Sequence, residues 1–234
     1  MNSLVVETLQ MQFKAFNLDV LTKMEIYKSE LKEYNSHTNV TALIHDDEID
    51  EKHYFDSLIL NRFMSESGQR VIDIGSGAGF PGLVLGILQK ENYFVLVESI
   101  AKKTRFLAQI TSKLELPNIE IYSKRAEELI KEKNWHETFD FGVCRAVASL
   151  NVMLELVIPY LKVGGKLLAQ KVNYEDEVKL AENALKELGC EIIEVEEYIL
   201  PITNQKRFVL IIEKKSETSK KYPRTVKQII KKPL

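Results

Sequence analysis

Chemistry in this chain concentrates in residues 71–82, VIDIGSGAGFPG, where an apolar strand-like run passes into a loop with glycine at every second position, Gly75, Gly77 and Gly79. Lacking side chains and tolerating positive φ, these glycines let the backbone turn sharply and bring its N–H groups against a small ligand. The apolar residues after Pro81 (Leu83, Val84, Leu85, Ile87, Leu88) read as the helix onto which the loop opens, the context a glycine-rich motif requires. Asp73 stands just before the glycines, and Glu98 closes the next apolar run, YFVLVE. In an open parallel sheet with right-handed crossovers both carboxylates emerge at one edge, in the crevice where ligands sit. There Glu98 is placed to accept hydrogen bonds from two ribose hydroxyls, and Asp73 to act on cofactor groups or to orient the loop. A nucleotide-like cofactor is the expectation. Gly77, Gly79 and Gly82 also fit the dinucleotide-binding spacing, a Walker loop is excluded because no Gly-Lys-Ser/Thr follows, and a tight turn without ligand is the plain alternative.

Other reactive residue types are scattered. Cys144 and Cys190 have no metal-ligand spacing in a chain without export signals, and read as reduced, buried thiols. His37, His45, His53 and His136 fall in different segments, so no metal site is expected. Arg145 follows the fourth apolar run, whose carboxyl end faces the crevice; this favours a positioning role over an ordinary ion pair. His53 and Asp56, three apart, share one face if their segment is helical.

The elements that must hold these residues follow from periodicity. Val20, Met24, Tyr27, Leu31 and Tyr34 recur at helical spacing, with Asp19 placed as N-cap, so residues 1–69 read as a helical N-terminal extension. From Arg70 short apolar runs alternate with amphipathic stretches, the signature of βαβ units. Strands are predicted near 70–74, 93–97, 119–122, 139–144, 166–171, 191–198 and 207–213, and helices near 82–90, 101–115, 126–133, 150–161 and 174–188, with Pro117, Gly164-Gly165 and Gly189 as breakers. The last two strands have no room for a helix between them and should form an antiparallel pair at one edge. The fold class is thus α/β, a Rossmann-like, mainly parallel seven-stranded sheet over residues 70–213.

Composition sets bounds. With 234 residues, 45% of them apolar, the chain can bury a sizeable core. No apolar run approaches the ~20 residues of a membrane span and no signal peptide is visible, so a cytoplasmic location is expected. Net charge is −2, yet residues 214–234 hold seven lysines and Arg224 against Glu217 alone, +7. Because this basic tail also carries Tyr222, Pro223, Ile229, Ile230 and Pro233, it reads as a phosphate-contacting segment rather than an inert linker.

Several separated motifs resemble one family. They are Asn39-Val40-Thr41, His53-Tyr54-Phe55-Asp56-Ser57-Leu58, DIGSGAGFPG, ESIAKKTRFL from Glu98, Arg125-Ala126-Glu127, Phe139-Asp140, Cys144-Arg145-Ala146-Val147-Ala148, and the tail's Tyr222-Pro223-Arg224 and Lys231-Lys232-Pro233-Leu234. Together they resemble the bacterial 16S rRNA guanine-N7 methyltransferases, the glucose-inhibited division protein B family. The resemblance implies a class I methyltransferase that uses S-adenosyl-L-methionine to methylate N7 of one guanosine in the decoding-region loop of 16S rRNA, within the 30S subunit. It puts cofactor contacts on Gly75, Phe80, Ala126, Glu127 and Arg145, beside Asp73, Gly77 and Glu98 from the loop itself, and substrate RNA contacts on His53, Asp56, Arg224, Lys231 and Lys232. Glu127 is alternatively a first-turn helix carboxylate. The tail departs from the family at Lys227-Gln228-Ile229, where Gly-x-Pro is usual.

Guanine N7 carries a lone pair and no proton at neutral pH, so its methylation needs orientation rather than a general base. In keeping, the fourth strand ends in Val143-Cys144-Arg145, without the Asp/Asn-Pro-Pro-aromatic run of amine methyltransferases or a Pro-Cys nucleophile. Two rivals share parts of the pattern: an NAD-dependent oxidoreductase, and an RNA-binding protein without catalysis.

Overall fold

Alternation within each short strand decides which side chain meets which layer. In the computed structural model, which describes residues 1–64, 67–145 and 148–234, Val71, Phe94, Leu96, Phe141 and Val143 turn to one side of the sheet. Ile72, Ile74, Val95, Val97 and Cys144 turn to the other. Ala146 and Val147 lie outside the described residues.

The strands are β1 (Arg70–Ile74), β2 (Tyr93–Val97), β3 (Ile119–Tyr122), β4 (Phe139–Arg145), β5 (Leu161–Lys171), β6 (Cys190–Ile199) and β7 (Lys206–Lys214), ordered β3-β2-β1-β4-β5-β7-β6. β7 pairs antiparallel with both β5 and β6, so the expected pair closes one edge, with β7 reversed and β6 outermost. Every strand appears where the sequence places it. β5, however, begins earlier than expected, at Leu161, because the Gly164-Gly165 breaker falls inside the strand. The ladder shifts register there and Gly164 takes φ +83°.

The N-terminal extension supplies α1 (Ser3–Gln12), α2 (Leu18–His37), α3 (Asp46–Glu48), a π-helical segment Ile49–Phe55, α4 (Asp56–Leu58) and a 3-10 segment Ile59–Phe63. The N-cap of α2 is Asn17, whose Oδ1 accepts from Val20 N–H at 3.1 Å; Asp19 instead lies in the first turn and pairs with Lys90. Val20, Met24, Tyr27 and Leu31 are buried as their period requires, in one core with α5 (Gly82–Leu88) and α6 (Ala101–Lys113). The opposite layer holds α7 (Ala126–Lys133), α8 (Leu150–Val157), α9 (Glu175–Leu188) and the tail helix α10 (Val226–Lys231). Pro159, which has no backbone N–H, sits in the 3-10 turn Ile158–Tyr160 that ends the run expected as one helix. Among the described residues no helix is long and apolar enough to cross a membrane.

Candidate active site

Strand order fixes the crevice. From β1 the chain steps outward to β2 and β3, then returns to β4 on the other side, so the carboxyl ends of β1 and β4 flank the point where the winding reverses. A cleft of about 1020 Å³ opens there, lined by Gly75, Gly77, Phe80, Glu98 and Arg145 together with His53 and Asp56 from the extension.

The glycine loop is built to stay open. Gly75 and Ser76 donate their N–H groups to Val97 O at 2.8 and 3.2 Å, anchoring the turn to β2. Gly75 itself takes φ +76°, a backbone posture L side chains rarely adopt. Asp73 lies beneath the loop: its Oδ2 accepts from Gly82 N–H at 2.8 Å, while Oδ1 is buried without a partner. Of the two roles expected for Asp73, the structure shows the orienting one, the carboxylate joining β1 to the first residue of α5. Burial pushes its pKa up to about 7. Glu98 reaches the cleft, but its oxygens hold the loop, accepting from Gly77 N–H at 3.0 Å and Ile100 N–H at 2.8 Å.

Arg145 is the hub of the opposite wall. Its Nη1 donates to Lys52 O at 2.6 Å and to Asp56 Oδ2 at 2.9 Å, and its Nη2 to His53 Nδ1 at 2.9 Å. A guanidinium only donates, so His53 Nδ1 accepts, and the ring proton is on Nε2, which donates to Thr41 Oγ1 at 2.9 Å. Burial and the Arg145 charge hold the His53 pKa well below its ordinary range. The imidazole lies flat on Phe80, with centroids 3.9 Å apart and planes 6° apart, and Phe80 in turn stacks on Tyr27 at 5.4 Å and 10°. Tyr27 also donates its hydroxyl to Ala78 O in the glycine loop. Asp56 is completed by Tyr198, whose hydroxyl donates to Oδ1 at 2.5 Å, and by Gln170 Nε2, which donates to Asp56 O at 2.5 Å. The segment that presents Lys52 and His53 is the π-helical one, a rare form that recurs at functional sites.

Other expected site residues lie elsewhere. Ala126 and Glu127 open α7 after β3, under the tail, where Glu127 Oε1 accepts from Val226 N–H at 3.3 Å and Oε2 is buried without a partner. Arg224 is not a free cation. It grips the fully buried Glu155 of α8, Nε to Oε1 at 2.7 Å and Nη2 to Oε2 at 2.6 Å, so the structure shows it as an anchor of the tail. Lys214, first of the tail's cations, is likewise buried and paired with Glu137 at 2.8 Å. Lys231 and Lys232 remain exposed. Cys144 and Cys190 are free and buried, as expected; burial pushes both thiols up, Cys190 to about 12, and Cys144 Sγ faces Ile74 O at 3.4 Å rather than the cleft.

Sequence reasoning did not single out Tyr27, Tyr198 or Gln170. Tyr27 reads as one more core position of α2, and Tyr198 and Gln170 sit on strands 28 residues apart, joined only by the order in which strands pair. Thr41 belongs to the quoted Asn-Val-Thr motif, the one signal that pointed to it.

The fold is shared by solved methyltransferases of low sequence identity. M. jannaschii TYW2 in complex with AdoMet aligns with TM-score 0.52 at 16% identity, over 67% of this chain and 74% of that one. A SAM-dependent methyltransferase from Aquifex aeolicus gives TM-score 0.54 at 15% identity, over 80% and 98%. The likeness shows a Rossmann-like fold shared with these proteins. The family model for rRNA small subunit methyltransferase G, GidB, matches residues 20–209. The protein of that name from Fusobacterium nucleatum is 45% identical over 208 residues, 89% of each chain, and that from Acetivibrio thermocellus 40% identical over 220 residues, 93% of this chain and 91% of the other. This chain belongs to the rRNA small subunit methyltransferase G family, and is accordingly an S-adenosylmethionine-dependent rRNA methyltransferase. The oxidoreductase and the non-catalytic readings are set aside by that membership.

Proposed function

We propose that the chain methylates N7 of one guanosine in the decoding-region loop of 16S rRNA within the 30S subunit, using the cleft between the glycine loop and Arg145. The residues present fit S-adenosylmethionine. Gly75 offers bare backbone, Ile100 offers exposed apolar surface with Phe80, its ring faces covered, lining the cleft beside it, and Glu98 keeps acceptor capacity beyond the two N–H groups it already holds. Gln170 also lines the cleft, and its buried Oε1 has no partner. At about 1020 Å³ the cleft sits at the upper end of small-ligand pockets, ~300–1,000 Å³, which leaves room for a nucleobase beside the cofactor. When bound, the cofactor supplies an electrophilic methyl group.

The observation that carries the reading is that the polar side chains nearest the reacting face are already committed. His53 has both nitrogens engaged, Nδ1 accepting and Nε2 donating, so it holds no proton to give and no lone pair to take one. Asp56 has both oxygens engaged, and Cys144 lies below the strand end. With His53 and Asp56 both engaged by protein partners, the wall around Arg145 suits an acceptor that needs no deprotonation, and a purine N7 is one. Methylated N7 leaves a positive purine. The Arg145 charge beside it is offset by Asp56 at 2.9 Å, so the wall adds little repulsion while it fixes the geometry.

Mass spectrometry of 16S rRNA from a strain lacking the gene tests the reading. One 7-methylguanosine should be missing and should return on complementation with wild type but not with Arg145→Ala; an unchanged modification map would refute it.

A further inference from the structure

The cleft has a neighbour that no role yet described uses. Across the loop of residues 39–44 a second cavity of about 580 Å³ opens between that loop and α2, within the range of small-ligand pockets, ~300–1,000 Å³. Thr41 and Leu43 line both cavities, which therefore share a wall one loop thick. The wall is braced: Asn35 Oδ1 accepts from the N–H groups of Val40 and Thr41 at 2.8 and 3.0 Å, and the Thr41 hydroxyl meets His53.

Leu31, Ala42, Leu43 and Ile44 give the second cavity apolar sides, Ile44 being 53% exposed, and Asn39 sets an exposed amide at its rim. Lys32, Asn35, Ser36 and Thr41 complete the lining, and apolar sides with amides and a hydroxyl at the edge suit a planar heterocycle, which stacks by its faces and bonds by its rim. The charge points the same way. Lys52, Lys103, Arg145, Lys171 and Arg207 line the main cleft against Asp56, Glu98 and Glu177, an excess of cations in a chain of net charge −2. Lys103 and Arg207 stand in no ion pair among the described residues. Apolar Ile100 and Val172 are 44% and 57% exposed at the cleft. A polyanion with unstacked bases complements such a surface; a duplex, with its bases hidden, does not.

We propose that the second cavity takes the base of a nucleotide next to the acceptor guanosine, so that two unstacked bases of the rRNA loop lie on either side of the wall of residues 39–44. This rests on the reading that the substrate is an rRNA loop. It also gives the wall a task, because a base seated behind Thr41 braces the loop that holds His53 and, through it, Arg145.

The test uses the full-length protein with 30S subunits that lack the modification, following incorporation of labelled methyl groups. Ala42→Trp fills the cavity without touching the cleft. It should raise KM for subunits by about tenfold, the loss of one stacking contact, with cofactor affinity by calorimetry and Tm unchanged, while Ala42→Ser behaves as wild type. Subunits reconstituted with an abasic nucleotide on one side of the guanosine should reproduce that rise with wild type and add nothing with Ala42→Trp. An unchanged KM for Ala42→Trp overturns the proposal. So does a rise that persists undiminished on both abasic subunits, which would place a ribosomal protein in the cavity. Chain cleavage at the labelled base reads the N7 assignment separately, so failure of one idea is distinguishable from failure of the other.

Discussion

Arg145 and His53 lock each other: Arg145 Nη2 donates to His53 Nδ1 at 2.9 Å, which fixes the imidazole as its neutral Nε2–H form flat against Phe80. The same guanidinium serves Asp56 and Lys52 O, so a single fork joins the end of β4 to the π-helical segment. Lysine carries the charge but not the fork. Arg145→Lys is expected to lose about a hundredfold in single-turnover methylation, as for a misplaced reacting geometry, with Arg145→Ala at least as slow. A lysine variant retaining half the wild-type rate would show that charge alone suffices.

Two buried groups give the free protein opposite pH dependences. The Asp73 pKa rises from 3.8 to about 7, so between those values the folded chain binds the extra proton and stability falls as pH rises, by on the order of 4 kcal/mol across the window. The His53 pKa is lowered, so the unfolded chain binds the extra proton and stability falls as pH drops below ~6.5. Asp73→Asn should therefore raise Tm at pH 8 more than at pH 5. Equal shifts at both pH values would exclude a buried charge on Asp73 as the cause.

For the cofactor, Gly75→Val should abolish S-adenosylmethionine binding, because a β-branched side chain cannot take φ +76° at the cleft wall. Glu98→Ala should weaken binding by ~1–3 kcal/mol, since it leaves the Gly77 and Ile100 N–H groups without their acceptor. Wild-type affinity of both variants by calorimetry would move the cofactor elsewhere.

Within the tail, Arg224 and the exposed pair Lys231 and Lys232 should separate cleanly. Arg224→Ala strands the buried Glu155 carboxylate and should cost ~3–5 kcal/mol in denaturant unfolding. Lys231→Gln with Lys232→Gln should leave stability alone and flatten the slope of log affinity for 30S subunits against log salt. A stable Arg224→Ala with a flattened slope would restore Arg224 as a phosphate contact.

The sequence exposed the sheet and the glycine loop because their signals are local: strand-type runs, turn glycines and helix periods each occupy a few neighbouring residues. The wall opposite was less legible. His53 and Asp56 were tied to the site by resemblance alone; the structure brings them to Arg145, about 90 positions away, through the packing of the extension on the sheet. Tyr198 was invisible, since an edge-strand tyrosine acquires its role only once β6 lies beside β7 and β7 beside β5. The Arg224 ion pair was not legible, because nothing in composition announces a buried glutamate on α8.

The central claim is that this cleft methylates guanine N7 by positioning alone. Its most direct test is to incubate the protein with labelled S-adenosylmethionine and 30S subunits lacking the modification, then treat the extracted 16S rRNA with borohydride and aniline, which break the chain at 7-methylguanosine. Label incorporation and cleavage should map to one guanosine in the decoding-region loop, with neither for Arg145→Ala. Label incorporated into RNA that resists cleavage would place the methyl group on another atom and contradict the account.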